Sequence, residues 1–337
     1  MSPTSYQTAP PRVGWNTDCK ATPPLRKQRF GFPIGSNEPD NAEVRGWKSL
    51  VGAVLLAVML TACDSPTLFK PMPDDPSEET ARSFYQSPGD PGSLLVIGDW
   101  GSGTIDETAI ASDMEAFASA HPVQAILTTG DNFYTDDPAE MLRPFDWANR
   151  SGIDFWLTWG NHDIESRERI EAVNTAFGGP PRWATIPWGE TQILILDSNE
   201  VGSNAQLAYL QEEMKRIDAP TIVVFHHPPF SCSDHVDNES VMHEWLPLFD
   251  DDVILVLNGH AHTYQRFDRD GVPYVVSGGG GRELDDLEDC PGGHIPQVAG
   301  EESFHFLTLT QDDRSLVVTA VDDGGETIDR MALPLGL

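Results

Sequence analysis

The sequence has few cysteines and few basic residues, and each shortage excludes a class of protein. Its four cysteines, at positions 19, 63, 232 and 290, form no CxxC pair and show no zinc-type spacing, so cysteine is not expected to bind a metal. Residues 64–337 hold 49 acidic side chains against 14 basic ones. A surface with this balance repels polyanions, which makes nucleic acid and anionic membranes poor partners for the folded part. The excess is typical of an adaptation to solubility or to salt.

The sequence also lacks an apolar run long enough to span a bilayer comfortably. The run from Leu50 to Leu60 has eleven residues, follows the basic side chains of Arg45 and Lys48, and ends before small residues. This order of a basic region, an apolar region and small residues predicts a secretory signal peptide over residues 45–63.

The stretch Leu60-Thr61-Ala62-Cys63 resembles the bacterial lipobox. That resemblance implies that Cys63 carries lipid, which inserts into a membrane, and that the chain is cut before it. The predicted location is the bacterial cell envelope, as an exported lipoprotein on the periplasmic or extracellular face of a membrane. The alternative is an ordinary signal peptide in which the cysteine occurs by chance.

Two segments flank this signal. Residues 1–44 show no apolar periodicity and predict no fold, either as a disordered extension or as residues that precede the true translation start. We prefer a start at Val44, directly before the basic region. Residues 64–92 are rich in proline and predict a stiff, solvated linker. The folded domain is predicted at 93–337.

From residue 93 onward, apolar runs alternate with helical patterns, and past residue 272 the pattern consists of strands. The predicted strands are 93–97, 125–129, 155–159, 192–196, 221–225, 253–257, 272–277, 304–309, 315–321 and 327–332. Helices are predicted at 105–121, near 137–149 and at 204–217. Alternation followed by strand pairs predicts a single α/β domain, a sandwich with its helices outside.

Polar motifs follow the carboxyl ends of five predicted strands, where the loops of an open α/β sheet converge. The loops are Gly98-Asp99-Trp100-Gly101, Gly130-Asp131-Asn132-Phe133-Tyr134, Gly160-Asn161-His162-Asp163, His226-His227-Pro228 and Gly259-His260-Ala261-His262. Carboxylate, amide and imidazole donors together suit iron, manganese or zinc rather than calcium. A shared aspartate can hold two ions about 3.5–4 Å apart, as two-metal hydrolases require. Each loop alone is typical of an ordinary turn, but five in order predict a dinuclear site.

These five loops resemble the calcineurin-like metallophosphoesterases and, more narrowly, the purple acid phosphatases of the tartrate-resistant type. The wider superfamily usually has a histidine two residues after the first aspartate, where this chain has Gly101. Purple acid phosphatases instead use a tyrosine three residues after the bridging aspartate, here Tyr134. The resemblance covers residues 93–280. It implies a four-layer α/β/β/α sandwich of two mixed β-sheets, with the dinuclear site at the carboxyl ends of the strands.

Position by position, the resemblance implies a ligand set for each of two metal ions. The first ion, Fe(III), is assigned to Asp99, Asp131, Tyr134 and His262. The second ion, Fe(II), Zn(II) or Mn(II), is assigned to Asp131, Asn161, His226 and His260. Of the two adjacent histidines, His226 is the ligand because the family pattern is His-x-Pro, and His227 is predicted to pack or to support a ligand.

Three further residues complete the predicted site. His162 is expected to act as general acid for the leaving-group oxygen, with Asp163 orienting its ring; the alternative is a simple phosphate contact. His235 lies nine residues beyond His226, where plant-type relatives carry a substrate histidine, or it is a plain surface residue.

The predicted reaction is hydrolysis of small phosphate monoesters. Two ions would bind the phosphate, cancel its charge and acidify a water to a metal-bound hydroxide that attacks phosphorus. One alternative is a phosphodiesterase that acts on small nucleotides with the same site. The other, from a different class, is a surface lipoprotein that binds metal or phosphate without turnover.

The remaining motifs lie near the end of this region. The stretch Ser277–Gly281 predicts a bend rather than a phosphate cradle, because no P-loop lysine accompanies it. Arg266 and Arg282 are expected to be surface residues, with substrate steering as the alternative. Cys232 and Cys290 are the only thiols expected in the exported domain after lipidation of Cys63, so we predict that they pair over the site.

Overall fold

The computed structural model of the protein describes residues 84–85, 92–235, 238–288, 290, 295–312 and 314–336. The extension 1–44, the signal segment 45–63 and most of the linker 64–92 lie outside the described residues. Within the described part of the chain, no helix combines the length and the apolar content that crossing a bilayer requires.

Strands alternate with helices up to β7 in the described residues, except that β4 and β5 form a hairpin. The strands are β1 (Ser93–Ile97), β2 (Val123–Thr128), β3 (Asp154–Trp156), β4 (Ala184–Trp188), β5 (Thr191–Ile195), β6 (Thr221–Val224), β7 (Val253–Asn258), β8 (Tyr264–Arg269), β9 (Val272–Ser277), β10 (Gln297–Glu301), β11 (His305–Gln311), β12 (Ser315–Asp322) and β13 (Thr327–Pro334). The helices are α1 (Ile105–Ala120), α2 (Pro138–Leu142), α3 (Asp146–Ser151), α4 (Arg167–Phe177), α5 (Asn204–Arg216) and α6 (Glu239–Glu244).

Two mixed sheets occupy the middle of the domain. One has the strand order β13-β12-β11-β1-β2-β3, with β1, β2 and β3 parallel and β11 antiparallel to β1. The other has the order β10-β8-β9-β7-β6-β5-β4, with β5, β6, β7 and β9 parallel. Parallel strands bring their carboxyl ends to one edge of each sheet, so the loops after them gather there.

The central parallel strands of each sheet are buried on both faces, which explains the continuous apolar runs of the sequence. Leu94 and Val96 of β1 pack in the core between the two sheets, whereas Leu95 and Ile97 pack outward with Ile110 of α1. Full burial of side chains of this size contributes about 1.5–3 kcal/mol each. The second sheet packs its outer face against α5 and α6 in the same way. The α/β/β/α sandwich predicted for this chain is therefore confirmed.

Five elements were not predicted: α4, α6, β4, β8 and β10. Strand β8 was missed because its polar and charged residues interrupt the alternation of apolar and polar side chains that predicts a strand. Arg266 of β8 is 21% exposed and forms an ion pair with Asp329 of β13, with 2.6 Å between Nε and Oδ2. Arg266 therefore joins the two sheets and is not a free surface arginine.

Tyr85 extends the packed domain to a point before residue 93. Its ring is 8% exposed and lies in the core between the sheets, 6.5 Å from the ring of Trp156. Its hydroxyl accepts a hydrogen bond of 3.0 Å from the amide of Leu157, which follows the edge strand β3. Tyr85, which lies in the segment predicted as the linker 64–92, therefore contributes to the core of the domain.

Candidate metal centre

The loops after the parallel strands place three of the predicted ligands on strained backbone. Asp99, Asp131 and His260 have φ values of 55°, 49° and 73°, in the left-handed region that non-glycine residues rarely adopt. Backbone hydrogen bonds hold the first of these turns, including Asp99 N to Gly130 O at 3.1 Å. Strain of this kind gathers at functional sites, where the surrounding structure compensates for it.

Tyr134 lies at the centre of the first group of donors. Its hydroxyl oxygen is 3.3 Å from Asp99 Oδ1, 3.3 Å from Asp131 Oδ2 and 3.3 Å from His262 Nε2. A phenol has one proton and can donate only one of these hydrogen bonds. The carboxylate oxygens of Asp99 and Asp131 that do not receive this proton face the same hydroxyl oxygen, which is an arrangement that a bound cation would satisfy. The four residues assigned to the first ion thus fit a metal.

The second group shares Asp131 with the first. His226 Nε2 is 3.3 Å from Asp131 Oδ2 and 3.0 Å from Asn161 Oδ1. The ring of His260 lies 5.0 Å from that of His226. Oδ2 of Asp131 therefore faces both groups, as a bridging carboxylate must. One donor atom from each of Asp99, Asp131 and His226 lies within 4.8 Å of the others.

Backbone carbonyls determine which ring nitrogen of two histidines faces the site. His226 Nδ1 lies 2.9 Å from Thr129 O, and His262 Nδ1 lies 2.7 Å from Glu283 O. A carbonyl only accepts, so each Nδ1 carries the proton. Each Nε2 then directs its lone pair at the donor groups once the ring is neutral, as ligation requires.

Without a metal, the carboxylates keep these two histidines protonated. Burial lowers the pKa of His226, but Asp131 outweighs it and raises the pKa to about 9. Burial opposes protonation of His262 as well, and Asp99 raises its pKa to about 9. His227 differs, because burial and the charge of His226 lower its pKa to about 3. A metal ion bound there would therefore have to displace protons from two of the candidate ligands.

His162 lies on the solvent side of the two groups. Its backbone N–H donates to Asp131 Oδ1 at 2.8 Å, and its ring centroid is 4.6 Å from that of Tyr134. The side chain is 39% exposed, with Nε2 4.0 Å from Asp131 Oδ2 and Nδ1 3.1 Å from Glu165 Oε2. Nε2 is thus placed to meet a ligand that enters from solvent.

The predicted role of Asp163 in orienting His162 is wrong. Asp163 is fully buried and accepts hydrogen bonds from Asn132 N, Asn132 Nδ2 and Gly160 N, each at 2.8 Å. Burial and the charge of Asp131 raise the pKa of Asp163 to about 7. Its carboxylate ties the Asp131 turn to the Gly160 turn, and Glu165 contacts the His162 ring instead. The 3-10 turn His162–Ile164 directs the two neighbouring side chains apart.

His235 and His227 both reach the second group. The His235 ring centroid lies 4.4 Å from that of His260 and 5.7 Å from that of His262. The His227 ring lies 4.5 Å from that of His260, and its Nδ1 is 2.8 Å from Ser198 Oγ. The structure therefore brings His235 to the site, and the His227 ring packs beside that of His260.

Two residues after the glycine stretch lie at the site: Asp285, which was not predicted, and Arg282, which was expected at the surface with substrate steering as the alternative. The Arg282 guanidinium lies 4.8 Å from the Tyr134 ring centroid, and its backbone N–H donates to Asp99 O at 3.1 Å. The Asp285 carboxylate contacts His235 and His262. Arg282 is exposed, as predicted, but its charge is at the site. The position of Ser277–Gly281 after a parallel strand was the signal that could have revealed both residues.

Cys232 and Cys290 form a disulfide, which is the pairing expected from the sequence. Beside it, Glu288 N donates to Cys232 O at 2.7 Å. These links tie the segment that carries His235 to the segment that carries Asp285.

Comparisons with known proteins place these loops in one family. The family model for calcineurin-like phosphoesterases matches residues 92–264. Purple acid phosphatase 4 of Arabidopsis thaliana is 24% identical over 248 residues, which cover 61% of this chain and 73% of that protein. Purple acid phosphatase 7 of the same plant is 24% identical over 229 residues, covering 56% and 70%. A probable cyclic nucleotide phosphodiesterase of Synechococcus is 28% identical over 148 residues, covering 41% and 57%.

Among solved structures, GAP50, the anchor in the inner membrane complex of Plasmodium, has the same fold. It superposes with a TM-score of 0.60 at 17% identity, and the match covers 73% of this chain and 89% of that one.

Proposed function

Because the chain belongs to the calcineurin-like phosphoesterase family and is a phosphoric ester hydrolase, we propose that it hydrolyses phosphate monoesters as purple acid phosphatases do. The observation that carries this proposal is the position of Tyr134, whose hydroxyl lies 3.3 Å from donors of Asp99, Asp131 and His262. The purple acid phosphatases among its relatives support the same choice.

The donor groups fit two different ions. The family implies a dinuclear metal site. Phenolate and carboxylate oxygens around Tyr134 suit Fe(III), and the imidazole-rich group of Asn161, His226 and His260 suits Fe(II), Zn(II) or Mn(II). When bound, two ions would neutralise the phosphate and supply a nucleophile derived from water.

Residues of the chain would perform the remaining steps. Nε2 of His162 would donate a proton to the leaving oxygen as the bond between phosphorus and that oxygen breaks. The exposed guanidinium of Arg282 would attract the phosphate dianion, which the acidic remainder of the protein repels. His235, beside His260 and His262, would contact the phosphate at the edge of the site.

A second candidate is hydrolysis of small-nucleotide phosphodiesters. It is favoured by the resemblance to a probable cyclic nucleotide phosphodiesterase at 28% identity. A surface lipoprotein that binds metal or phosphate without turnover is the alternative from another class. A protein that only binds metal or phosphate needs no proton donor, so this alternative does not explain why His162 lies on the solvent side of the donor groups.

Hydrolysis assays separate these candidates. Purified protein would be loaded with iron and then with zinc or manganese, and assayed at several pH values with p-nitrophenyl phosphate and its bis-ester. We expect a higher kcat/KM for the monoester. A higher value for the bis-ester would select the phosphodiesterase, and bound ions without turnover of either ester would select the binding protein.

Visible absorption tests the ferric iron. A tyrosinate bound to Fe(III) produces a charge-transfer band, so the iron-loaded protein should be purple. Tyr134→Phe should bleach the colour while iron remains bound, and His235→Ala should keep the colour as a control. A colourless, iron-free and active wild type would contradict this proposal.

A further inference from the structure

The carboxylate of Asp285 joins a proposed metal ligand to the histidine at the edge of the site. Its Oδ2 lies 2.9 Å from His235 Nδ1 and 2.8 Å from His262 N, and its side chain is 13% exposed. In return, Asp285 N donates to His262 O at 3.3 Å. The carboxylate is thus held against the backbone of the His262 loop on one side and faces the His235 ring on the other.

The segment that carries Asp285 is anchored at both ends. Before it, Arg282 N donates to Asp99 O at 3.1 Å. After it, the Cys232–Cys290 disulfide joins this segment to the loop of His235. The hydrogen bond and the disulfide together therefore fix the Asp285 carboxylate relative to both histidines.

The contact with Asp285 selects one tautomer and one orientation of His235. An ionised carboxylate only accepts, so Nδ1 of His235 carries the proton and Nε2 is the nitrogen available to a ligand. Asp234 is a competing acceptor, with Oδ1 3.4 Å from His235 Nδ1, but its side chain is 74% exposed. Asp285 is closer and better shielded from solvent, so it governs the ring.

We propose that Asp285 is a positioning residue that holds Nδ1 of His235 and so points its Nε2 at a phosphate ester bound over His260 and His262. The inference rests on the proposed function, because it assumes that His235 contacts the substrate. Asp285 itself touches neither the phosphate nor the leaving group. Removal of a carboxylate that orients a metal-ligating histidine typically costs about 10–100-fold in activity or metal affinity, and we expect the same range for the carboxylate that orients His235.

Single variants provide the first test. Asp285→Ala removes both the charge and the acceptor, Asp285→Asn keeps an oxygen acceptor for the two N–H groups, and Asp234→Asn removes the exposed competitor. The measurements are metal content, binding of inorganic phosphate to the zinc-loaded protein by calorimetry, and kcat/KM for a monoester. We expect Asp285→Ala to lose about 10–100-fold in phosphate affinity and kcat/KM with both ions retained. Asp285→Asn should lose less, and Asp234→Asn should match the wild type.

A double-mutant cycle shows whether Asp285 acts through His235. In a His235→Ala background, Asp285→Ala and Asp285→Asn should have no further effect on phosphate affinity, because the group they position is gone. A loss that persists in full in that background, or equal losses in Asp234→Asn and Asp285→Asn, would overturn the inference.

The proposed function can fail separately. A wild type that binds phosphate but hydrolyses no monoester would refute the proposed function. The phosphate-binding cycle would still decide the role of Asp285.

Discussion

At the scale of single residues, a left-handed backbone and a shared carboxylate determine where the donor atoms of the site lie. Asp131 has a φ of 49°, and its Oδ2 faces both Tyr134 and His226. Its Oδ1 accepts from His162 N at 2.8 Å, so the residue proposed to bridge two ions also places the residue proposed as acid. A non-glycine residue in this conformation costs about 1–3 kcal/mol, which other contacts must offset.

His162→Ala tests the general acid. The variant should keep both ions, because its ring nitrogens are not among the proposed ligands, and hydrolysis should slow by about 10²–10⁴. The loss should be largest for alkyl phosphates and smallest for p-nitrophenyl phosphate, whose leaving group departs with little need of a proton. Steady-state kinetics over a series of leaving groups measures this.

Asn161→Ala is the matched control for that experiment. It should weaken the second metal, and added metal should partly restore the rate. An equal loss for every leaving group in His162→Ala, or loss of metal, would make His162 a phosphate contact or a ligand instead.

Metal binding should release protons from His226 and His262. Their pKa values are raised to about 9 in the metal-free protein, so both rings are protonated at pH 7, and only neutral rings bind metal. Metal affinity should therefore rise with pH up to about 9. Calorimetry at pH 7 in buffers of different ionisation enthalpy counts the protons released.

His227→Ala is the control for this proton count. The pKa of His227 is lowered to about 3, so that ring is already neutral at pH 7 and the variant should release as many protons as the wild type. An observed enthalpy that does not depend on the buffer would contradict the prediction.

At the scale of elements, Gly278 after β9 packs directly against the loops that carry Asp99 and Ala261. A Cβ added to Gly278 would collide with Ala261 O and would lie 2.8 Å from Asp99 Oδ2. The predicted bend is therefore also a close approach of backbone to two loops of the site, and only glycine leaves room for it.

Gly278→Ala should displace Asp99 or the His260–His262 loop and weaken metal binding at the Tyr134 group. Iron content and the visible band after loading measure this, with the thermal midpoint checking the fold. Gly202→Ala is the control, because an added Cβ there meets nothing within 4 Å. Full iron occupancy in Gly278→Ala would show that the loops can adjust.

Strands that are buried on both faces were predicted from the sequence, whereas β8 and α4, which carry both apolar and charged side chains, were not. Strands such as β1 and β6 are continuous apolar runs because both faces of the sheets are covered. Strand β8 and helix α4 carry charged residues that contact other parts of the chain, such as Arg169, whose Nε pairs with Asp136 Oδ1 at 2.9 Å. Such partners are distant in sequence, so local patterns do not reveal them.

At the scale of the whole molecule, the excess of acidic side chains affects which substrates can approach the site. Residues 64–337 hold 49 acidic against 14 basic side chains, a field that repels phosphate at long range. The exposed Arg282 and bound metal ions would oppose that field only near the site. A small phosphate ester carries fewer negative charges than a polyanion, so this surface repels it less strongly.

Lipidation of Cys63 remains a proposal that cell fractionation can test. In a bacterial host that processes lipoproteins, the wild-type chain should fractionate with membranes, and Cys63→Ser should be soluble or unprocessed. Cys19→Ser is the control and should behave as wild type. A fully processed Cys63→Ser protein that stays with membranes would contradict the lipobox interpretation.

The sequence by itself determined which chemical groups the site would contain and the order in which the chain supplies them. Apolar runs that end in Gly-Asp, Gly-Asn-His and Gly-His-Ala-His were enough, because parallel strands bring their carboxyl ends together whatever the intervening helices are. The four-layer sandwich was implied only by the resemblance of these motifs to a known family, whose model matches the chain.

Only the tertiary structure decided where the supporting side chains point. Asp163 follows His162 in sequence, yet it turns inward to Asn132, while Glu165 takes the contact with the His162 ring. Asp285 reaches His235 across 50 residues of sequence. The direction of a side chain depends on the turn that carries it and on partners from other loops, and neither is encoded in local periodicity.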